Sequence, residues 1–202
     1  MGKITRLEVQ ARHKDRVNLY IDDVFVTGLT LDTAVKNGLK IGKDVNEKFV
    51  VDMIFDSEKQ SAFNKTANYM KSSIKTVKQI KEYLNKKGYD EAVINAVVEK
   101  LKEYKYLDDS QYVTAFVNTN KSKYGVRKLR EKLKQKGVAD ANLSVLDDYE
   151  EDMDALKNVA EKYMSHKEKT PENYNKLYRF LAMRGYNFDD INACVNEIKR
   201  SE

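Results

Sequence analysis

Lysine and arginine recur in this chain at spacings that would align positive charge along helices, and that is the first chemistry its residues offer. Arg127, Arg130 and Lys134 fall at i, i+3 and i+7, with Lys128 and Lys132 beside them, so a helix would gather them along one side. Lys71, Lys75, Lys78 and Lys81 form a second run. Aligned on the glycine that follows each run, Lys78 and Lys81 take the places of Arg127 and Arg130. Phosphate is the natural partner of such a surface, because each neutralising contact releases a condensed counterion. A single helix carries lysines for solubility alone; repetition of sign and phase in two helices points to a phosphate-facing surface. Residues that could do other chemistry are sparse. His13 falls in a turn and His166 at a polar helix end, Cys194 takes a core position, and Asp108-Asp109 and Asp189-Asp190 read as helix caps rather than metal ligands. No glycine loop that could cradle a phosphate and no nucleophile beside a base is present. No catalytic residue, metal or cofactor is expected.

The elements that must position these cations are helical and periodic. Tyr83-Leu84-Asn85-Lys86-Lys87-Gly88, Lys132-Leu133-Lys134-Gln135-Lys136-Gly137 and Phe180-Leu181-Ala182-Met183-Arg184-Gly185 place matched glycines 49 and 48 residues apart. Apolar residues stand eleven, eight and four positions before each glycine: Val77/Val126/Tyr174, Ile80/Leu129/Leu177 and Leu84/Leu133/Leu181. Ile94, Leu143 and Ile191 stand six positions after it. This is an internal repeat of helix, glycine turn and helix, with a basic residue (Lys87, Lys136 or Arg184) before each left-handed cap. Asp108 caps a third helix in the first unit, and the run from Tyr149 to Met164 supplies one in the second. Thr170-Pro171 restarts the pattern.

Before the repeats the rhythm is β. Leu7, Val9 and Ala11 alternate with polar residues, as do Val17, Leu19 and Ile21, with turns at His13-Lys14-Asp15 and Asp22-Asp23, so an antiparallel sheet of about three strands is predicted. A short helix capped by Thr30 and ended by Gly38 follows. Asp44, with Glu47 three residues on, predicts the start of the next helix, which runs toward Met70. The predicted fold is mainly α: tandem three-helix modules in a curved, elongated array behind a small β segment. Its expected segments are 1–70, then repeats at 71–123, 124–169 and 170–202, the last truncated to two helices.

Composition supports a binding role. The chain of 202 residues carries a net charge of +5, with 34% charged residues and a mean hydropathy of -0.70, which favours an acidic partner. That total hides an asymmetry. Residues 71–138 hold 17 Lys and Arg against 8 Asp and Glu, whereas residues 139–160 hold 7 acids against Lys157 alone. A single cysteine excludes an internal disulfide, and no apolar stretch reaches the roughly 18 residues of a membrane span. A cytoplasmic monomer is the expectation.

Residues across nearly the whole chain also resemble the RecX family, bacterial regulators of the RecA recombinase. The likeness lies in Tyr69-Met70-Lys71-Ser72-Ser73, Tyr83-Leu84 through Gly88-Tyr89, Leu101, Tyr106-Leu107-Asp108-Asp109 and Tyr112. It continues in Tyr124-Gly125, Lys132-Leu133 and Lys136-Gly137-Val138. Ile4-Thr5 and Asp15-Arg16-Val17-Asn18-Leu19-Tyr20-Ile21-Asp22 are similar to the leading segment of Gram-positive members. One departure is that Lys71-Ser72 stands where the family has arginines before a serine or threonine; a lysine point charge replaces a planar fork there. The resemblance implies modules that bind in the groove of the RecA–DNA filament and inhibit strand exchange, ATP hydrolysis and co-protease activity, in DNA repair and the SOS response. Two other readings stay open on the residues alone: an autonomous DNA-binding repeat protein, and a scaffold for an acidic protein. Neutralising Arg127, Arg130 and Lys134 is expected to weaken filament binding with little loss of fold.

Overall fold

The computed structural model describes residues 1–200; Ser201 and Glu202, the end of the last expected segment, lie outside the described residues. Strands β1 (Gly2–Val9), β2 (Arg16–Ile21) and β3 (Val24–Thr30) form an antiparallel meander, as the alternation predicts. Its inward face is Ile4, Val17, Leu19 and Leu29. The tight turn between β2 and β3 puts Asp22 and Asp23 at φ 49° and 65°, a left-handed pair whose twist matches the strands. A fourth strand was not anticipated. Asp44–Val45, β4, pairs with the start of β1 and completes the order β3-β2-β1-β4. Asp44 therefore does not begin a helix. Asn46 does, its side chain accepting from Phe49 N at 2.8 Å. Asp and Asn two residues apart offer equal capping chemistry, and the strand pairing of Val45 decides between them.

Helix α1 (Leu31–Lys36) is capped by Thr30, and α2 (Glu47–Met70) runs for 24 residues. The remaining helices are α3 (Val77–Lys86), α4 (Glu91–Glu103), α5 (Asp109–Asn120), α6 (Val126–Gln135), α7 (Asp140–Leu143), α8 (Met153–Met164), α9 (Pro171–Met183) and α10 (Phe188–Arg200). A 3-10 turn, Ser144–Leu146, follows α7. Each predicted anchor column is buried where it matters most: Ile80, Leu129 and Leu177, then Leu84, Leu133 and Leu181, are all fully buried. Gly88, Gly137 and Gly185 sit at φ 81°, 83° and 88°, the left-handed caps that the spacing demands. Asp108 accepts from Ser110 N and Gln111 N, and Thr170 from Asn173 N, with Pro171 in the first turn.

The cores group the helices one step earlier than the glycine-anchored frame. One buried cluster unites Leu156, Ala160 and Met164 of α8 with Tyr174, Leu177 and Leu181 of α9 and Ile191, Cys194, Val195 and Ile198 of α10. A second unites Val113 and Val117 of α5 with Leu129 and Leu133 of α6 and Leu143 and Leu146 beyond. The helix that precedes each glycine helix therefore shares its core, and the last core is built from three helices rather than two. Helix α2 likewise packs on α4 and also on β3, so it serves both sheet and repeat, and the expected break at residue 70 follows the helix end rather than a gap between cores. By compactness the chain divides into one unit of residues 1–74 and 80–106 and another of residues 75–79 with Leu107 onward.

Candidate functional site

Within the second unit one joint is built twice. Thr76 and Gly125 both stand twelve residues before their glycines, each at the entry to its helix. Thr76 Oγ1 donates to Lys136 O at 2.7 Å, and Gly125 N donates to Arg184 O at 3.0 Å. The next residue in each case donates its backbone N–H to an acid at the start of a later helix: Val77 N to Asp109 Oδ1, and Val126 N to Glu151 Oε1, both at 3.0 Å. An acidic group at a helix N-terminus satisfies an orphan donor and opposes the positive end of the helix. The side chain of Lys78 lies against Gly137, and the backbone of Lys128 against Gly185. A glycine is required at both turns, because a Cβ on Gly185 would stand 2.3 Å from Lys128 N.

Glu151 is half-buried in that second joint. Burial raises its carboxyl above the ordinary range, against the lowering effect of the Val126 hydrogen bond, and nearby Asp190 raises it further. Tyr186 lies beside it, its hydroxyl buried with no hydrogen-bond partner among the described residues. Burial first, then the Glu151 charge, pushes that phenol to about 12.

The nine cations singled out from the sequence meet different fates. On α6 most are engaged within the chain. Arg127 donates from its guanidinium to Ala182 O, so it is part of the joint rather than a free surface group. Arg130 pairs with Asp147 at 2.5 Å, Lys134 with Asp140 at 2.7 Å and Lys128 with Glu131 at 2.7 Å; Lys132 lies over the Tyr124 ring at 4.7 Å. The carboxyls feel this. Asp140 is held below its usual range by the Lys134 hydrogen bond and charge, and Glu131 by its hydrogen bond to Lys128. On α3, Lys81 donates to Asn95 Oδ1 at 2.8 Å and Lys78 packs at the first joint; Lys75 is half-buried just before α3, and Lys71 is exposed just after α2 beside Phe63, Met70 and Tyr106. Triple neutralisation of Arg127, Arg130 and Lys134 would therefore also loosen the joint at Ala182.

A second basic region has no local signature in the sequence. Lys123, Lys162, Lys167 and Arg184 line a depression of about 590 Å³, together with Ser122, Asn158, Val159, Tyr163 and Phe180 and with no carboxylate among the lining residues. None of the four cations is ion-paired among the described residues. Arg184 donates to Lys123 O at 3.1 Å and lies over the Phe180 ring, and Lys167 donates to Tyr163 O while its ammonium sits 3.6 Å from the centre of that ring.

Cys194 is buried in the last core and its thiol is pushed up to about 11, which keeps it protonated and unreactive. His13 and His166 are exposed. Tyr112, Phe116 and Tyr124 pack against the α5–α7 core, whereas Tyr106 is exposed. No helix among the described residues is long and apolar enough to cross a membrane.

Fold and surface together define a tandem array of three-helix repeats behind a small antiparallel sheet, with cations along α6 and at the helix ends around Arg184. Four family models match this chain in order: the regulatory protein RecX N-terminal domain over residues 2–46, and the RecX first, second and third three-helix domains over 62–101, 108–143 and 150–195. The chain belongs to the RecX family. A protein of Clostridium botulinum named regulatory protein RecX is 38% identical over 207 residues, covering 98% of this chain and 96% of that one. One of Clostridium tetani with the same name is 32% identical over 212 residues, covering 100% and 97%. The fold is also that of a solved regulatory protein RecX (TM-score 0.72, 20% identity, all of both chains). RecX from Lactobacillus salivarius shares it over 70% of this chain and 97% of the other (TM-score 0.62, 21% identity).

Proposed function

We propose that this protein binds the RecA–DNA filament and inhibits its recombinase, ATPase and co-protease activities, acting as a cytoplasmic monomer without catalysis of its own in DNA repair and the SOS response. The observation that carries this reading is the full-length similarity to proteins named regulatory protein RecX, sheet and all three helical domains included. The contact surface would include Lys71 and Lys75 ahead of α3, Lys78 and Lys81 on it, and Arg127, Lys128, Arg130, Lys132 and Lys134 on α6. Exposed ion pairs such as Arg130–Asp147 are worth only about 0–1 kcal/mol, so a phosphate or an acidic side chain can compete for those cations. A filament offers both protein and phosphate, and binding should weaken with salt less steeply than for a protein that touches DNA alone.

A second reading, autonomous DNA binding, draws on the depression around Arg184, whose cations pair with no acid among the described residues. The experiment that separates them compares affinity for bare single-stranded DNA and for RecA-coated DNA, alongside a strand-exchange assay. Tighter binding to the coated strand with loss of exchange supports the regulator; equal binding and no effect on exchange favours the autonomous binder.

A further inference from the structure

We infer that the depression lined by Lys123, Lys162, Lys167 and Arg184 is a binding site for the backbone phosphates of a nucleic-acid strand. The inference deepens the filament reading, and rests on it, by naming where the strand is held. Three helices end here: Lys123 lies just beyond α5, Lys162 and Tyr163 in the last turn of α8, and Arg184 caps α9. Their carbonyl ends account for some of the cations, since each carries roughly half a negative charge. Three such ends supply roughly 1.5 negative charges against four full positive ones, and no lining carboxylate makes up the difference. The excess is positive and concave. Concavity with low-dielectric walls concentrates the field, which a flat basic stripe does not do.

The aromatic floor fixes what kind of contact is made. Tyr163 and Phe180 stack on each other at 4.4 Å between centroids, and Lys167 and Arg184 lie over these same rings. The rings are thus engaged with each other and with cations, so they are not platforms for bases. Ser122 and Asn158 add neutral polar groups suited to phosphate oxygens. Contacts of this kind position a strand without reading its sequence.

Arg184 also holds the joint, through its own carbonyl and its bond to Lys123 O, so the test leaves it intact. Lys123 and Lys162 make no described side-chain hydrogen bond, and Lys123→Gln/Lys162→Gln removes charge without removing structure. Binding of a fluorescent oligothymidylate by the full chain is measured against salt, with an oligodeoxyadenylate and inorganic pyrophosphate as further arms. The double variant is expected to bind about ten-fold more weakly, with the slope of log affinity against log salt reduced by roughly 1.4. Thymidylate and adenylate strands should lose affinity equally, and pyrophosphate should compete only weakly, because it offers no continuous backbone. Unchanged affinity and slope, or no binding of either strand by the unmodified chain, overturns the site. Pyrophosphate that displaces the strand at low concentration overturns the strand as its ligand. The same variant in a RecA strand-exchange assay keeps the two ideas apart: undiminished inhibition beside lost oligonucleotide binding leaves the site standing and removes DNA contact from the inhibitory mechanism.

Discussion

Helix α6 and the depression at the end of α9 are both rich in cations, and they are opposite in electrostatic character. On α6 the charges lie in one contiguous run, yet Lys128, Arg130 and Lys134 each face a carboxylate, and Arg127 is anchored on Ala182 O. At the depression the charges come from three separate helix ends spread over 61 positions, and no carboxylate among the described residues pairs with them. Charge density along a chain is therefore a poor guide to the field a partner feels. What matters is whether the acids of neighbouring segments fold back onto the basic ones.

The sharpest way to break this contrast is to spoil the joint beneath the depression. Gly185→Ala forces a left-handed backbone and drives a Cβ onto the Lys128 backbone, and it should destabilise by roughly 2–5 kcal/mol. Gly88→Ala meets nothing within 4 Å of the new Cβ and should lose only the backbone term, roughly 1–2 kcal/mol. Urea denaturation of both variants measures the difference, and equal losses would show that the α6–α9 joint contributes nothing. Leu133→Ala, at a fully buried site in the α5–α7 core, should cost about 2–5 kcal/mol and serves as the reference for core damage without joint damage.

Smaller effects sharpen the comparison of surfaces. Arg130→Ala/Lys134→Ala should lower oligonucleotide affinity less, by about three-fold, because Asp147 and Asp140 compete with phosphate for the two cations, at a worth of about 0–1 kcal/mol for each exposed pair. A loss as large as that of Lys123→Gln/Lys162→Gln would show that the ion pairs open freely for a ligand. The smallest expected effect is at Glu151. Its carboxyl is raised in the fold, so folding favours its protonated form; the associated stability is present below the ordinary carboxylate range and lost as pH rises through the shifted value. Glu151→Gln keeps an acceptor for Val126 N without a buried charge, and its melting temperature should match the unmodified chain at acid pH and slightly exceed it at neutral pH. A lower value at neutral pH would mean that the charge itself stabilises the N-terminus of α6.

Much of this architecture is readable from the chain because its causes are local. The columns ending in Leu84, Leu133 and Leu181, the left-handed glycines and the caps at Asp108 and Thr170 depend on residues within one or two turns of each other. β4 was not readable, since Asp44–Val45 are a strand only by pairing with Gly2 and Lys3, a contact across more than 40 residues. The grouping of α8 with α9 and α10 is hidden for a related reason: matched glycines fix the period of a repeat and leave its starting helix undetermined. For the surface, the basic stripe on α6 was legible and its neutralisation was not, because Asp140 and Asp147 belong to an acidic stretch that looks separate in sequence. Arg184 was visible only as the basic residue before a cap, and nothing local connects it with Lys123, Lys162 and Lys167.

The central claim is that this protein prefers a recombinase filament to bare DNA. Its affinity for single-stranded DNA, bare and coated with RecA, measured at one salt concentration, tests that most directly. The account predicts clearly tighter binding to the coated strand; equal or weaker binding to the coated strand would contradict it.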